Sequence, residues 1–292
     1  MAAGDLITRD GQIEWRGVLL GAGTPYRKVG LEGWQDLADV RSDNPNISGY
    51  HGAYQGSLLS APRVVTFSYL LATSTATFPG HVRELQRITA LREDTTEEPL
   101  VIQLDGRKHY AMARCHRRSI PVDKRYPLGY TTGAIEWVAT NPRKYQLPQQ
   151  SVSCSLAAPP VGGLVWPLVF PLDFNQTISG GVMTLTNNGN ADAWPTFTVL
   201  GPMTGPTITN LTTGQKLVFN PVVTVIPGGI EMVIDTRPSV RTVRGAGTSV
   251  RQLLISADWF AVPAGSSIQV GITSSTYDPA ALLTAAWYHT DL

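Results

Sequence analysis

The chain has 292 residues, of which 15% are charged and 42% hydrophobic, and it contains 28 glycines and 21 prolines. Its formal net charge of +1 excludes the strong basic field by which a whole protein attracts nucleic acid or an anionic membrane. Many turn residues and few helix-favouring charges predict a mainly β protein with one large or two medium domains.

A first strand is predicted over residues 12–20, and a long segment poor in core residues follows it at about 21–60. Compact domains seldom contain so long a connection unless it has a function, and its few apolar residues cannot offset the entropy of ordering it. We therefore predict an extended loop that is buried by a partner, most simply another copy of the chain. The predicted anchors in this interface are Leu31, Trp34, Leu37, Tyr50, Tyr54, Leu58 and Leu59.

The rest of the first half is typical of an antiparallel sheet with one packed helix. An apolar stripe at three- and four-residue steps predicts a helix over 77–92, with Pro79 in its first turn. The Asp105-Gly106 pair predicts a tight hairpin turn. The predicted strands are 64–72, 100–104, 109–116 and 133–140.

Proline, glycine, glutamine and serine concentrate in residues 141–171 and disfavour regular structure there. We place a first domain at 1–145, which includes the extended loop, a linker at 146–171 and a second domain at 172–292. In that second domain, short strand candidates separated by Gly- and Pro-containing turns predict a jelly-roll β-sandwich. The candidates are 182–186, 194–200, 207–209, 216–219, 222–225, 230–234, 240–243, 252–255, 267–272 and 281–289.

The sequence contains no recognisable catalytic or metal-binding signature. Its histidines are scattered outside any HExxH, GxSxG or Cys/His/Asn pattern. Cys115 and Cys154 lack the spacing of metal ligands, and two reduced, packed thiols are favoured over a disulfide between them. We therefore expect no enzyme activity, no catalytic residues, no metal and no cofactor.

No targeting or membrane segment is predicted. The first residues lack a basic cluster followed by an apolar core, so they do not resemble a signal peptide. The most apolar run, residues 164–172, is short and contains Pro167 and Pro171, which excludes a transmembrane span. We expect folding in a cytoplasm without a membrane anchor.

The densest basic run comprises Arg114, Arg117 and Arg118, with Lys124 and Arg125 close behind. Nucleic-acid sites of this kind interleave several aromatic residues and carry a larger excess of charge. Two interpretations are favoured: a solvated strand end, or arginines that pair with carboxylates of a neighbouring subunit.

Tryptophans in the second half raise the alternative of carbohydrate binding, because aromatic faces stack on sugar rings. Core tryptophans are the commoner outcome, and Trp194 and Trp287 lie within strand patterns. Trp259, which precedes Phe260 near a turn, is the candidate sugar-binding residue. The alternative function is therefore a carbohydrate-binding adhesin or receptor-binding accessory protein.

A set of turn-rich segments runs in order through most of the chain. In the first half these are LLGAGTPYRKVGLEGWQDLADVRS, HGAYQGSLLSAPRVVTF and EWVATNPRKYQ. In the second half they are NNGNADAWPTFTVLGPMTGPTITNLTTG, VIPGGIEMVIDTRPSVRTVRGAG and FAVPAGSSIQVGI. Together they resemble the phage distal tail protein family of siphovirus-type tails, whose C-terminal domain is galectin-like.

The resemblance implies a structural virion protein of a long non-contractile tail. Copies would form a ring, usually of six, that joins the tail tube protein to the tail-tip hub and leaves a lumen through which DNA passes. The N-terminal domain would be a tail-tube-like β-sandwich with one helix, and its loop, here residues 38–60, would embrace the next subunit. The basic run is then a candidate for interface or lumen charge.

The resemblance further implies that the galectin-like domain faces outward, where relatives carry fibres or receptor-binding proteins. The sugar-binding residues of true galectins are not recognisable in this sequence. The implied location is the virion, at the tail tip, after assembly in the bacterial host cytoplasm. A baseplate component of a related tail-like particle fits the same segments.

Overall fold

The computed structural model describes residues 2–158 and 181–292. It divides into two compact units, Met1–Leu147 with Asp291–Leu292, and Pro148–Thr290. Both units are mainly β, which confirms the predicted fold class. Within the described residues, no helix has the length and hydropathy needed to cross a bilayer.

The first unit is one antiparallel sheet system with a single α-helix in its described part. Its elements are β1 Gln12–Trp15, β2 Val18–Gly21, β3 Tyr26–Glu32, β4 Val40–Ser42, β5 Leu58–Ser60, β6 Arg63–Ala72, α1 Phe78–Ile88, β7 Glu98–Leu104, β8 Arg107–Ser119, β9 Tyr130–Ala139 and β10 Lys144–Leu147. The main sheet has the order β2-β1-β7-β8-β9-β6-β3, and β10 pairs with β8. β8 pairs with β7 up to Ala113 and with β9 from Arg114 onward, and a bulge lies within the second stretch, between Cys115 and Arg117.

Large aromatic side chains fill the core of this unit. Trp15 and Trp137 are fully buried, and their ring centroids lie 5.8 Å apart in an edge-to-face arrangement. The Trp15 indole Nε1 donates to the carbonyl oxygen of Ile88 at 2.8 Å, so the core also holds the end of the helix. Phe78, Val82, Leu85 and Ile88 form the buried face of α1.

The helix is confirmed but ends earlier than residue 92. The Thr89 hydroxyl and backbone N–H both donate to the carbonyl oxygen of Leu85 and close the last turn. Leu91, which lies within the predicted bounds, is therefore beyond the end of the helix and is exposed. The Asp105-Gly106 hairpin is confirmed, and both residues have the positive φ that a tight two-residue turn requires.

Two predictions for the start of the chain are wrong. The single strand over 12–20 is a hairpin, β1 and β2, that turns at Arg16-Gly17, both with positive φ. The loop at 21–60 contains β3, which pairs with β6 along the main sheet. β3 is an edge strand with mostly exposed residues, so it lacks the apolar run by which buried strands are recognised.

The second unit is a two-sheet sandwich. Its strands are β11 Gln150–Ser155, β12 Val182–Asn187, β13 Thr196–Leu200, β14 Met203–Thr204, β15 Thr207–Asn210, β16 Lys216–Phe219, β17 Val225–Ile226, β18 Glu231–Asp235, β19 Thr242–Gly245, β20 Thr248–Ser249, β21 Leu254–Ala257, β22 Ser266–Thr273 and β23 Leu282–Trp287; β24 Thr290–Asp291 closes the chain. One sheet has the order β11-β23-β13-β18-β19-β20 and the other β12-β22-β15-β16-β21. Alternate residues of both sheets form one buried cluster that includes Phe197, Ile234 and Leu283 from the first and Leu185, Ile208 and Val270 from the second.

Some predicted segments of the second half need correction. The linker over 146–171 contains β11, which pairs with β23 along its whole length, and residues 159–171, with Trp166 and most of the apolar run 164–172, lie outside the described residues. The strand over 222–225 is mostly a turn, because the Asn220 side chain accepts a hydrogen bond from the Val222 N–H. The strand over 252–255 begins as a 3-10 turn, Arg251–Leu253.

Both cysteines are free and buried, as predicted. Burial raises the pKa of the Cys154 thiol to about 11 and also raises the pKa of Cys115. Because thiolate is the reactive form, we expect both thiols of the native chain to react slowly with Ellman's reagent at pH 8 and rapidly after denaturation. Fast native reaction, or absence of free thiol in denaturant, would contradict this expectation.

Candidate functional site

Residues 39–61, which we call the arm, form an irregular β-hairpin of almost entirely exposed residues. Its two strands, β4 and β5, pair in register from Val40 with Ser60 to Ser42 with Leu58. Further out, the Tyr54 N–H donates to the Pro45 carbonyl at 2.9 Å and the Ile47 N–H donates to the Gly52 carbonyl at 3.1 Å. The predicted open loop is thus partly ordered by its own backbone hydrogen bonds.

The arm exposes large apolar side chains on both of its faces. Leu58 and Leu59 are 64% and 56% exposed, and neighbouring strand residues point to opposite sides. Tyr50, Tyr54 and Val40, together with Leu37 just before the arm, are also exposed. Large exposed apolar surface in one segment is typical of an interaction site in soluble proteins, and the arm is therefore the candidate functional site.

Two of the seven predicted interface anchors belong instead to the core of their own unit. Trp34 is buried, and Leu31 on β3 packs against the same buried cluster. The sequence correctly predicted that both apolar side chains avoid water, but amino-acid type does not show whether a side chain is buried by its own chain or by a partner. Leu37, Tyr50, Tyr54, Leu58 and Leu59 are the anchors that this chain leaves exposed.

A buried arginine holds the base of the arm. Arg63, at the start of β6, is 1% exposed. Its Nη1 donates to the carbonyl oxygens of Gly33 and Asp36, each at 2.7 Å, and of Trp34 at 3.3 Å, while its Nε donates to that of Pro142 at 2.9 Å. Burial lowers the pKa of Arg63, and the Asp36 carboxylate opposes this. These bonds fix the turn from which the arm departs.

Lys144 on β10 supports the same turn. Its Nζ donates to the Trp34 carbonyl at 3.0 Å and lies 5.9 Å from the centre of the Trp34 ring. Burial, followed by the charge of Arg63, lowers the pKa of this amine. Gly33 has a φ of +77°, and a Cβ there would collide with the Val64 carbonyl oxygen, so the turn requires glycine.

Sequence reasoning missed Arg63 and Lys144. A usable signal was present, because Arg63 stands directly before the apolar alternation of β6 in a position that the strand buries. A cation at a buried strand end needs acceptors, and a turn of backbone carbonyls supplies them without a carboxylate partner.

The basic run divides into structural and exposed residues. Arg114 donates to the carbonyl oxygens of Arg92 and Asp94, at 3.2 and 2.9 Å. Arg118 donates to the Gln86 carbonyl at 3.2 Å and to the Thr89 hydroxyl at 2.9 Å. These two arginines satisfy oxygens at and beyond the C-terminal end of α1, where helices lack internal donors.

The other basic residues remain at the surface. Arg117 and Lys124 are exposed, and the Arg125 guanidinium lies 5.5 Å from the Tyr130 ring centre. A cavity of about 410 Å³ opens between the end of α1 and the bulge of β8. Its lining residues are Gln86, Thr89, Ala90, Leu91, Cys115, His116, Arg117 and Arg118.

Trp259, the candidate sugar-binding residue, is partly buried. Its side chain packs against the core of the second unit, and the Arg251 guanidinium lies over its ring at 5.7 Å. Trp287 is buried and its Nε1 donates to the Thr186 carbonyl at 2.8 Å. Among the described residues, no group of three or more His, Cys, Asp or Glu is arranged to hold a metal ion.

His109 on β8 gives the first unit a pH dependence. Its Nε2 lies 3.1 Å from an Asp291 carboxylate oxygen. Burial lowers the pKa of His109, Lys144 and Arg107 lower it further, and Asp291 opposes them. As the pH falls below about 6.5, His109 is protonated in the unfolded chain before it is protonated in the folded chain. The contribution of His109 to stability is therefore complete above pH 6.5 and is lost progressively below it.

Between pH 7.5 and pH 5.5, we expect the free energy of unfolding to decrease less in His109→Gln than in the wild type, because glutamine does not titrate. Urea unfolding at several pH values measures this slope. His51→Gln, at an exposed position on the arm, is the control and should retain the wild-type slope. An identical slope for His109→Gln would show that His109 does not contribute.

No protein-family model matches the chain, and no curated protein matches it. Among solved structures, Dit (gp 19.1) of phage SPP1, described as a paradigm of the hub adsorption apparatus in phages that infect Gram-positive bacteria, aligns with a TM-score of 0.65 at 12% identity and covers 96% of this chain and 99% of Dit. Two structures of the activated phage p2 baseplate, with Ca and with Sr, align with TM-scores of 0.46 and 0.44 at 11% and 10% identity; they cover 90% and 91% of this chain and 91% and 98% of theirs. The alignment with SPP1 Dit shows that the chain has the Dit fold over almost its whole length.

Proposed function

We propose that this chain is a structural virion protein at the distal end of a long non-contractile phage tail. Copies of it form a ring, six-fold by the family resemblance, that joins the tail tube to the tail-tip hub and surrounds a passage for DNA. The observation that carries the proposal is an arm with exposed apolar residues on both faces, in a chain with the fold of SPP1 Dit.

The physical argument for self-association begins with the arm. A two-stranded hairpin is marginally stable by itself in water, whereas a partner that buries its anchors contributes about 1.5–3 kcal/mol for each large apolar side chain. A head-to-tail contact of this kind, repeated by rotation, closes into a ring. Another copy of the same chain is the simplest partner, because every copy both provides an arm and receives one.

The proposal assigns the two units different tasks. The first unit builds the ring and contacts the tail tube protein and the hub. The galectin-like second unit faces outward and carries fibres or receptor-binding proteins. The role is structural rather than enzymatic, and the protein resides in the virion tail tip after assembly in the host cytoplasm.

The decisive experiment is the mass of the purified full-length chain in solution. Light scattering coupled to size-exclusion chromatography, with native mass spectrometry, should give a discrete multiple of 31.6 kDa, and negative-stain electron microscopy should show closed rings with a central hole. A strictly monomeric species at the highest attainable concentration would overturn the proposal.

A further inference from the structure

The first unit carries a second exposed apolar surface, away from the arm. Outside the arm and its base, its three most exposed large apolar side chains are Leu91, Val122 and Leu128, at 78%, 77% and 72%. Isolated exposed apolar residues are ordinary. These three are notable because each has a cationic residue within three positions in the chain: Arg92, Lys124 and Arg125, respectively.

Contacts at both ends of α1 show that these residues follow the helix. At the C-terminal end of the helix, Arg118 binds the Gln86 carbonyl. At the N-terminal end, the Tyr126 ring packs edge-to-face on Phe78 at 5.0 Å. The chain from 118 to 128 therefore runs alongside α1 from end to end. We define the strip as Leu91, Arg117, Val122, Lys124, Arg125 and Leu128.

The strip has unused positive charge. Of the carboxylates beside it, Asp123 accepts hydrogen bonds from the N–H groups of Arg125 and Tyr126 through one oxygen, and Glu136 lies 3.0 Å from His116 Nδ1. In the part of the chain that the structure describes, no hydrogen bond or ion pair involves the side chain of Arg117 or Lys124. A complementary surface would be apolar with carboxylates.

The arm has this complementary character. It contains Asp39 and Asp43 against a single fixed cation, Arg41, and both carboxylate residues are exposed. Its exposed large apolar residues are Val40, Tyr50, Tyr54, Leu58 and Leu59. The ten residues from the base of the arm to the turn at Gly49 would span at most about 33 Å if fully extended, and the eleven residues of α1 span about 16 Å.

We propose that the strip is the surface on which the arm of a neighbouring copy docks. Leu58, Leu59 and the tyrosines of the arm pack on Leu91, Val122 and Leu128, and the arm carboxylates pair with Arg117 and Lys124. The cavity beside Leu91 has the volume to receive a large side chain. This inference rests on the proposed function, and it names the receiving surface within the ring.

Compensating charge reversal in the full-length chain tests the pairing. We expect R117E/K124E and D39K/D43K each to raise the concentration at which rings dissociate by about tenfold or more, and the combined quadruple variant to restore assembly. R244E/K216E reverses one exposed arginine and one exposed lysine of the second unit and should leave the rings unchanged. Failure of the quadruple variant to recover would overturn the assignment of the arm to the strip.

An apolar test covers the case in which charge reversal disturbs folding. Val122→Asp should dissociate the rings while leaving the far-UV circular dichroism unchanged, because the side chain is exposed in the isolated chain. Val222→Asp, at a residue of the second unit that is 84% exposed, is its matched control.

The variants separate this inference from the proposed function. If serine replacements of Leu58 and Leu59 dissociate the rings but the strip variants do not, the arm docks elsewhere and only this inference fails. If the wild type forms no rings, or no arm variant affects them, the proposed function fails as well. If strip variants assemble normally but lose binding to another purified tail protein, the strip receives that protein and not the arm.

Discussion

Replacing both Leu58 and Leu59 by serine is expected to convert the assembled protein into folded monomers. Full burial of a leucine contributes about 1.5–3 kcal/mol, so loss of two at each subunit contact removes about 3–6 kcal/mol, or roughly a hundredfold to ten-thousandfold in affinity. Both side chains are exposed in the isolated chain, and their replacement should not reduce the stability of the monomer.

Light scattering and sedimentation velocity measure this change in mass. The matched control replaces Val222 and Val223, which are similarly exposed in the second unit, by serine and should assemble like the wild type. Unaltered rings in the leucine variant would show that the arm does not hold subunits together. A variant that aggregates or loses its circular dichroism signal would show that the leucines stabilise their own unit.

Replacing Arg63 by methionine is expected to destabilise the first unit by about 3–5 kcal/mol, because several buried carbonyl oxygens lose their donor at about 1–3 kcal/mol each. Methionine fills similar space but leaves the carbonyl oxygens of Gly33, Asp36 and Pro142 without the donors they have in the native chain. Lys144→Met removes one such bond and should cost about 1.5–3 kcal/mol.

Urea unfolding followed by tryptophan fluorescence measures both effects, and Trp34 at the base of the arm is one of the seven tryptophans that contribute to the signal. The measurement is made in the monomeric Leu58 and Leu59 variant, so that assembly does not contribute to the stability. Arg41→Met, at an exposed position of the arm, is the control and should change the free energy of unfolding by less than about 0.5 kcal/mol. An unchanged midpoint for Arg63→Met would refute the role assigned to Arg63.

Elements with strong local signals were predicted from the sequence. The Asp105-Gly106 hairpin and the helix were predicted because both signals, a two-residue turn and a 3.6-residue periodicity, depend only on residues close together in the chain. β3 was missed because an edge strand with one exposed face has no apolar run. β11 was missed because its serines alternate with few inward residues, and its pairing partner β23 lies more than a hundred residues later.

The candidate site was only partly predictable for a similar reason. The excess of turn residues and isolated apolar anchors identified the segment around the arm, and five of the seven anchors are exposed in the isolated chain. The sequence did not show that Trp34 and Leu31 belong to the core, nor that Arg63 and Lys144 hold the turn at Gly33. Those contacts join β6 and β10 to a turn many residues away.

By itself, the sequence determined the β-rich fold class, the absence of recognisable catalytic motifs and the presence of a segment too poor in apolar residues to be ordered by local burial. These properties depend on composition and on neighbouring residues. Only the tertiary structure decided which apolar side chains the chain buries in its own core and which it leaves exposed. That division depends on strand register and on contacts between residues far apart in the chain, and neither is visible in a single sequence.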